Sequence, residues 1–471
     1  MATDVRLVGI YRALSMAQSA GETSAADLTE SALARIAAAA DLNAVVLVDS
    51  ESARQQARRI DDKRARGEPL GPLAGLPAVV KDNADVRGLP TTHGSLLCAD
   101  VPAAPEDDSV VAHLRQAGAV IVGKTNLSEF AMEAVTDNRL FGATHNPWKR
   151  GMSPGGSSGG SAVALSAGLA IVATGTDGGG SVRIPAALCG LVGLKPTSGV
   201  VGSRATRIPL ELSSTGPLAQ TIADLRILAE LTLRPAEGDP SCVYGAQVTG
   251  DDQMGKLYAI PRIAGSAPVD IAIEDAFVCA AEAFGRCVDR EVVFLSGELL
   301  DAAADEVWAT IYSAEDTFAV GWNVIEEHYD LLDPRVRPWV ERGLATTLPD
   351  YLDARRARCR YVRELDVLLG ERNILLSPTM GTVGFPIGGH VDVAADELMP
   401  IDLFNTAALN LTGHPALNLP AGQIEGMPFG LQIIGPRGSD FWLMNVARSW
   451  ERDHPWPLTA PGYELFGPLT A

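Results

Sequence analysis

The stretch SPGGSSGGSAVALSAGLAIVATGTDGGGS, residues 153–181, decides how this chain of 471 residues is interpreted. It contains two glycine-rich loops that each carry serine, joined by an apolar segment too short to form a separate domain. Ser157 and Ser158 lie between glycine pairs in the first loop, and three glycines (178–180) lead into Ser181 in the second. Glycines allow successive N–H groups to converge on one point. Hydroxyls beside such donors indicate acyl transfer, which needs a nucleophile and an oxyanion site.

The base of this predicted site is a lysine, because no histidine lies in a suitable context nearby. His145 is the nearest histidine in sequence, and its loop is unremarkable. Lys81 ends the apolar run GLPAVVK (75–81), which is typical of a buried strand. Burial disfavours the charged amine, so the pKa of such a lysine falls and the neutral amine can accept a proton. The residues therefore predict a Ser–Ser–Lys arrangement.

Six segments of the chain resemble the amidase signature family. The resemblance covers most of the chain and weakens between about 235 and 370. The segments are GLPAVVKDN (75–83), GKTNLSEFAM (123–132), PGGSSGGSAVALSAGLAIVATGTDGGGSVRIPAALCGLVGLKPT (154–197), STGPLAQTIADLRIL (214–228), LNLTGHPALNLPAG (409–422) and FGLQIIGP (429–436).

The resemblance implies a role for each residue of the trio. Ser181 is the expected nucleophile, Ser157, held by a cis peptide, is the expected proton relay, and Lys81 is the expected base. Position 178 departs from the family, which usually has a larger residue there, so we expect a more flexible oxyanion loop. The predicted oxyanion donors are the backbone N–H groups of Gly178, Gly179, Gly180 and Ser181.

Further residues are predicted to support the loops or to line a substrate pocket. Ser158 is expected to hold the first loop by hydrogen bonding. Asp177 and Arg183 flank the nucleophile loop and are expected to pin it, as a buried pair or through backbone bonds. The aromatic segment 301–345 is explained first by core packing and second by an apolar substrate wall. The predicted pocket residues are Met132, Met152, Trp308 and Tyr312.

Helical patterns and apolar strand patterns alternate along the chain, which is typical of an α/β architecture with a largely buried sheet. Together with the resemblance, this predicts a large central mixed sheet covered by helices on both faces. No linker or repeat interrupts the sequence. We therefore expect one domain over residues 1–471, with a signature core at about 70–235 and a variable, substrate-shaping region at about 235–375.

The composition restricts the expected partners. A formal net charge of −20 repels phosphates, so nucleic acids and anionic membranes are poor partners. The six cysteines have neither metal-binding nor secreted-framework spacing, and we expect no metal and no cofactor. The N-terminus lacks a signal-type core, and no apolar run reaches the ~20 residues that span a bilayer. We expect a soluble cytoplasmic enzyme with a small-molecule substrate. Its expected oligomeric state is a homodimer.

Two motifs match patterns of unrelated enzymes. Residues 118–125, GAVIVGKT, match the P-loop pattern, but the four residues between its glycines form a strand pattern rather than a phosphate cradle. Residues 155–159, GGSSG, match the nucleophile elbow of α/β-hydrolases, but polar residues precede them instead of a strand. A Ser-His-Asp esterase stays an alternative because histidines follow downstream. These are His328, His390, His414 and His454.

We predict an amidohydrolase that cleaves a carboxamide C–N bond through a Ser181 acyl-enzyme. The aromatic segment favours bulky apolar or aryl amides, with carbamates (urethanes) or esters as further substrates. The alternative is a glutamine-hydrolysing amidotransferase subunit that passes ammonia to a partner chain. A non-catalytic binding protein is disfavoured because all three catalytic positions are filled.

Overall fold

The computed structural model describes residues 5–202, 210–236, 238–243, 254–265, 269–388, 405–467 and 469. Its strands are β1 Val45–Val48, β2 Pro77–Lys81, β3 Val120–Thr125, β4 Val172–Asp177, β5 Val192–Lys195, β6 Ser214–Ala219, β7 Leu257–Ala259, β8 Val292–Phe294, β9 Ile374–Pro378, β10 Ala416–Ile424 and β11 Met427–Ile434. In the described part of the chain they form one mixed eleven-stranded sheet, in the order β1-β3-β2-β4-β6-β5-β10-β11-β9-β7-β8. The predicted α/β class with a large mixed sheet is confirmed.

Helices cover this sheet. The α-helices are α1 Val5–Val8, α2 Ile10–Ser19, α3 Ala25–Ala38, α4 Ser50–Ala65, α5 Ser109–Gln116, α6 Gly159–Ser166, α7 Arg183–Cys189, α8 Ile222–Thr232, α9 Ile271–Cys287, α10 Ala303–Val320, α11 Trp322–His328, α12 Arg337–Ala345, α13 Leu348–Leu369, α14 Ala407–Thr412 and α15 Asp440–Asp453. Short 3₁₀ turns lie at Ala40–Leu42, Leu96–Cys98, Glu129–Ala131 and Tyr329–Leu331. Of the helices described, none is both long and apolar enough to cross a bilayer.

Local capping explains where several helices begin. The Ser24 hydroxyl accepts a hydrogen bond from the backbone N–H of Asp27, and the Asp27 carboxylate accepts one from the Ser24 N–H. This reciprocal pair satisfies two donors that the first turn of α3 leaves without partners. Thr347 and Asp350 do the same for α13. Each of these two helices therefore begins at a reciprocal cap.

Both faces of the sheet are buried. Ile374 and Leu376 of β9 pack in one hydrophobic cluster with α2, α3, α8, α9 and α15. Leu375, between them, packs in a second cluster with α10, α12, α13 and α14. Successive strand residues point to opposite faces, so the two clusters lie on opposite sides of the sheet. This is the predicted layered arrangement, with helices on each face.

The parallel strands β3, β2 and β4 bring the predicted site residues to one edge. β2 pairs in parallel with both β3 and β4, so Lys81 and Asp177 end neighbouring strands at the same side of the sheet. Open α/β sheets carry ligands at the carboxyl ends of their strands. β3 runs through the P-loop-like motif, and the buried Lys124 pairs with Asp82 at 2.6 Å. That motif is therefore a strand, as the sequence pattern indicates.

Candidate active site

Lys81 is joined to the first serine loop by a direct hydrogen bond. Its Nζ donates to Ser157 Oγ at 2.7 Å and to Thr176 Oγ1 at 2.8 Å. The Gly156–Ser157 peptide is cis. Thr176 Oγ1 also accepts from Asn83 Nδ2 at 3.0 Å. The lysine amine therefore lies between two hydroxyl oxygens, at the end of a buried strand as the sequence pattern predicts.

The environment of Lys81 favours its neutral form. The side chain is completely buried, and this burial lowers the pKa of the amine from 10.5 to about 7, against the opposing charge of Asp177. Desolvation penalises the ammonium, whereas a nearby carboxylate stabilises it. The net result is an amine that can accept a proton near neutral pH.

Asp177 and Arg183 form a buried pair beneath the second loop. Arg183 Nη2 donates to Asp177 Oδ1 at 2.8 Å, and neither side chain is exposed. Asp177 also accepts from the N–H groups of Gly180 and Val182, at 2.8 and 3.2 Å. Burial raises the pKa of the Asp177 carboxyl, but the charge and hydrogen bonds of Arg183, with Asn410, lower it to about 2. The pair thus ties the end of β4 to the start of α7.

Tertiary contacts hold the glycine run that precedes Ser181. Trp308 Nε1 donates to the Gly178 carbonyl at 3.0 Å, and Thr406 Oγ1 donates to the Gly179 carbonyl at 2.6 Å. The loop that was expected to be flexible is therefore held by hydrogen bonds to the carbonyls of Gly178 and Gly179. The N–H of Gly180, predicted to face the oxyanion, is instead engaged by Asp177, which leaves three of the four predicted donors for a ligand.

Aromatic side chains explain why small residues occupy this run. A Cβ on Gly179 would lie 2.5 Å from Trp308 Cζ2, closer than real Cβ atoms approach, so the indole would have to shift. A Cβ on Gly178 would lie 3.3 Å from Tyr312 Cε2, tighter than most real contacts. The absence of a side chain at Gly178 therefore leaves room for the neighbouring tyrosine ring.

Two cavities meet at Ser181. The larger has a volume of about 480 Å³, and the smaller, called here the acyl slot, has about 50 Å³. Both are lined by Ala131, Ser181 and Tyr312. The larger cavity is further lined by Asn83, His93, Cys98, Phe130, Ser157, Thr176, Gly178, Leu210, Ser213, Asp316, Phe318, Ala319 and Val320. The acyl slot is further lined by Met132, Glu133, Ala134, Gly156, Gly179, Ile184, Trp308 and Trp339.

Three of the four predicted pocket residues line these cavities. Met132 and Trp308 line the slot, and Tyr312 lines both. Trp308 and Tyr312 stack with ring centroids 4.5 Å apart, as their spacing of four residues on α10 allows. Met152 lines neither cavity; it packs in a third cluster with Phe385 and Met427, and its backbone forms an isolated bridge with Pro386.

Ser158 lies at the N-terminus of α6 and contacts β4. Its hydroxyl contacts the carbonyl and the N–H of Thr176, each at 3.3 Å. The histidines needed for an esterase triad lie elsewhere: the ring of His414 is 3.2 Å from Asp366, and Ser157 receives its hydrogen bond from Lys81. His390 lies outside the described residues.

Several residues of the site escape the sequence patterns. Thr174 and Thr176 share one face of β4, and both contact Lys81, through its N–H and its Nζ. Two hydroxyls on one face of an otherwise apolar strand are the signal that could have found them. Glu133 and Trp339 line the slot from separate elements, and no local pattern connects them.

Comparisons with known proteins agree with this geometry. A family model described as Amidase matches residues 27–444. This chain belongs to the amidase signature family. It is 36% identical to a subunit of the glutamyl-tRNA(Gln) amidotransferase of Chloroflexus aggregans, over 94% of this chain and 96% of that protein.

Solved structures give the same family. A bacterial aryl acylamidase superposes with a TM-score of 0.86 and 25% identity, covering 95% of this chain and 96% of that one. The peptide amidase of Stenotrophomonas maltophilia superposes with a TM-score of 0.78 and 28% identity, covering 94% and 96%. The chain is thus an amidase-family enzyme that hydrolyses amide C–N bonds.

Proposed function

We propose that this amidase acts alone on amides whose leaving amine is bulky and apolar or aromatic. The observation that carries the mechanism is the 2.7 Å contact between the buried Lys81 amine and Ser157 Oγ. Neutral Lys81 accepts a proton from Ser157, which accepts one from Ser181 as Ser181 Oγ attacks the carbonyl carbon. These steps are nucleophilic catalysis in which an adjacent base activates the attacking serine.

The second loop stabilises the charge that develops on the substrate. The N–H groups of Gly178, Gly179 and Ser181 are the proposed donors to the tetrahedral oxyanion, and one such donor typically contributes about 10²–10³ in rate. Asp177 and Arg183 position them by holding the loop. Ser157 then returns its proton to the leaving nitrogen, and water releases the acyl group through the same relay.

The larger cavity is the proposed site of the leaving amine. Ser157, which protonates the leaving nitrogen, lines this cavity and not the slot. Its walls include Phe130, Tyr312 and Phe318 together with aliphatic residues. Apolar and aromatic lining with a few polar groups is typical of small-molecule sites. Anilides, and carbamates (urethanes) or esters with bulky leaving groups, match these walls.

A second candidate is the glutaminase component of an amidotransferase that works with a partner chain. The curated relatives favour this reading, since they are named as subunits of glutamyl-tRNA(Gln) amidotransferase. The charges of the cavities argue against it. The described residues that line them include the acids Glu133 and Asp316 but no lysine or arginine. A free amino acid would bury its carboxylate there with His93 as the only basic side chain among the described lining residues, which is costly.

The two candidates are separated by assaying the purified chain alone. The panel is p-nitroanilides, an aryl carbamate, an aryl ester and glutamine, with Ser181→Ala as the control. We expect anilide hydrolysis, an acyl adduct on Ser181 by mass spectrometry, and no release of ammonia from glutamine. Glutamine turnover that appears only with an added partner protein, with inert anilides, would replace this proposal by the amidotransferase.

A further inference from the structure

The two cavities divide a substrate at the scissile bond. If the leaving amine occupies the cavity that Ser157 lines, the acyl group must enter the other cavity that reaches Ser181. That cavity is the acyl slot, with a volume of about 50 Å³. A site needs roughly 10–15 Å³ to hold one water-sized group, so the slot accepts an acyl chain of only a few atoms.

The slot contains one carboxyl side chain among walls that are mostly apolar and aromatic. Trp308, Tyr312 and Trp339 form a cluster in which Trp339 meets both other rings edge-on, with centroids 5.8 and 5.7 Å apart. Glu133 lines the same slot and is 7% exposed. A carboxyl among aromatic rings is expensive to bury unless it is hydrogen-bonded.

The Glu133 carboxyl is held at one oxygen only. Trp339 Nε1 donates to Oε1 at 2.6 Å, and no described residue donates to Oε2. Arg335 contributes a favourable charge, but its own hydrogen bonds go to Asp333 and Asp137. Burial raises the pKa of Glu133 to about 7, against the hydrogen bond from Trp339. One carboxyl oxygen thus stays available to a ligand in the slot.

We propose that Glu133 is a specificity residue that selects short acyl groups ending in a hydrogen-bond donor, above all an ammonium group. The inference rests on the proposed function, because it assigns the slot to the acyl side. An ammonium at the end of an acetyl-sized chain gives Glu133 the partner that this protein does not provide. A methyl group in the same place leaves a buried carboxyl oxygen without one.

Three isosteric substrates test this inference. Glycyl, glycolyl and propionyl p-nitroanilide end in an ammonium, a hydroxyl and a methyl group on the same short chain. At pH 7 the wild-type enzyme should show the highest kcat/KM with the glycyl substrate and the lowest with the propionyl substrate. We expect these two to differ by about 10- to 100-fold, the range for one unmade buried hydrogen bond.

Two variants test whether Glu133 is the residue that distinguishes the three substrates. Glu133→Gln keeps the shape but removes the charge, and should lower kcat/KM for the glycyl substrate about 10-fold or more while changing the propionyl value less than about threefold. Asp316→Asn is the matched control, because Asp316 is a buried carboxyl of the larger cavity and should leave the ratio of the three substrates unchanged. Circular dichroism checks that both variants fold.

The outcomes separate the inference from the proposed function. Equal kcat/KM for the three substrates, or an equal loss on all three in Glu133→Gln, would overturn the inference and leave the anilidase intact. Hydrolysis of none of the three would overturn the proposed function and the inference together.

Discussion

Lys81 shows how a single position can set the chemistry of a site. The residue ends a strand that is buried along its whole length, and its amine donates to the hydroxyls of Ser157 and Thr176 and lies near the carboxylate of Asp177. An exposed lysine is almost fully protonated at neutral pH and cannot accept a proton. Burial lowers the pKa of Lys81, so the amine can act as a base and no histidine is needed.

The pH dependence of hydrolysis tests the state of this amine. With a pKa lowered to about 7, Lys81 is neutral above that pH and becomes charged below it. We therefore expect kcat/KM to be level above about pH 8 and to fall about tenfold per unit below about pH 6, because the base is lost in proportion to its protonation.

The measurement is initial rates on a neutral anilide from pH 5 to 9, with circular dichroism at each pH to show that the enzyme stays folded. Lys81→Ala should reduce activity at every pH. A flat profile between pH 5 and 8 would exclude a lysine with this pKa as the base.

At the scale of elements, the turn between β4 and α7 carries the proposed oxyanion donors. It is fastened by Asp177, which holds the N–H of Gly180 and the guanidinium of Arg183. Arg183 also donates to Asn410 and Gln432, from α14 and β11. The turn is thus connected to strands and helices more than 200 residues away in the chain.

Asp177→Asn should destabilise the protein by about 3–5 kcal/mol, because it leaves the fully buried Arg183 charge without its carboxylate. Urea unfolding followed by fluorescence measures this change. Glu30→Gln is the control: it breaks the exposed pair with Arg54, where solvent screens the interaction, and should leave the midpoint unchanged. Equal midpoints for wild type and Asp177→Asn would show that the buried pair contributes nothing.

The pH dependence of this contribution has a definite sign. The folded-state pKa of Asp177 lies near 2, below its usual 3.8. The stabilisation is therefore complete above about pH 4 and is lost as the pH falls towards 2.

At the scale of the whole molecule, the two faces of the sheet differ in what their helices pack against and line. Helices on one face, among them α3, α8 and α9, complete a core that includes the N-terminal segment. On the other face, α10 and α12 supply Trp308, Tyr312 and Trp339 to the cavities. The aromatic segment 301–345 thus packs in a core and lines the site at once.

The acidic surface predicts how charged substrates respond to salt. With a net charge of −20, the protein should attract cationic substrates and repel anionic ones at low ionic strength. Between about 0.01 and 0.5 M salt, the Debye length shrinks several-fold. We expect KM to rise for glycyl p-nitroanilide and to fall for propionyl 4-carboxyanilide, whose negative charge lies on the leaving amine, with propionyl p-nitroanilide as the uncharged control. Three unchanged KM values would show that the overall charge does not reach the site.

The residues proposed for catalysis could be picked out from the sequence because their signals are local. The glycine-framed serines and the strand lysine lie in short segments whose backbone needs can be read from adjacent residues. Met152, placed in the pocket from sequence, lines neither cavity, and its backbone bridge to Pro386, far along the chain, is a contact that no local pattern shows. Glu133 and Trp339 were missed for the same reason.

The sequence alone determined the family, the α/β class and which residues can act as the proposed nucleophile, relay and base. Tertiary structure decided that Gly180 donates to Asp177, that Trp308 and Thr406 donate hydrogen bonds to the loop before Ser181, and that Ser181 lines two cavities of unequal size. The physical reason is that backbone conformation follows from neighbours in the chain. Burial, pKa and cavity shape follow from neighbours in space.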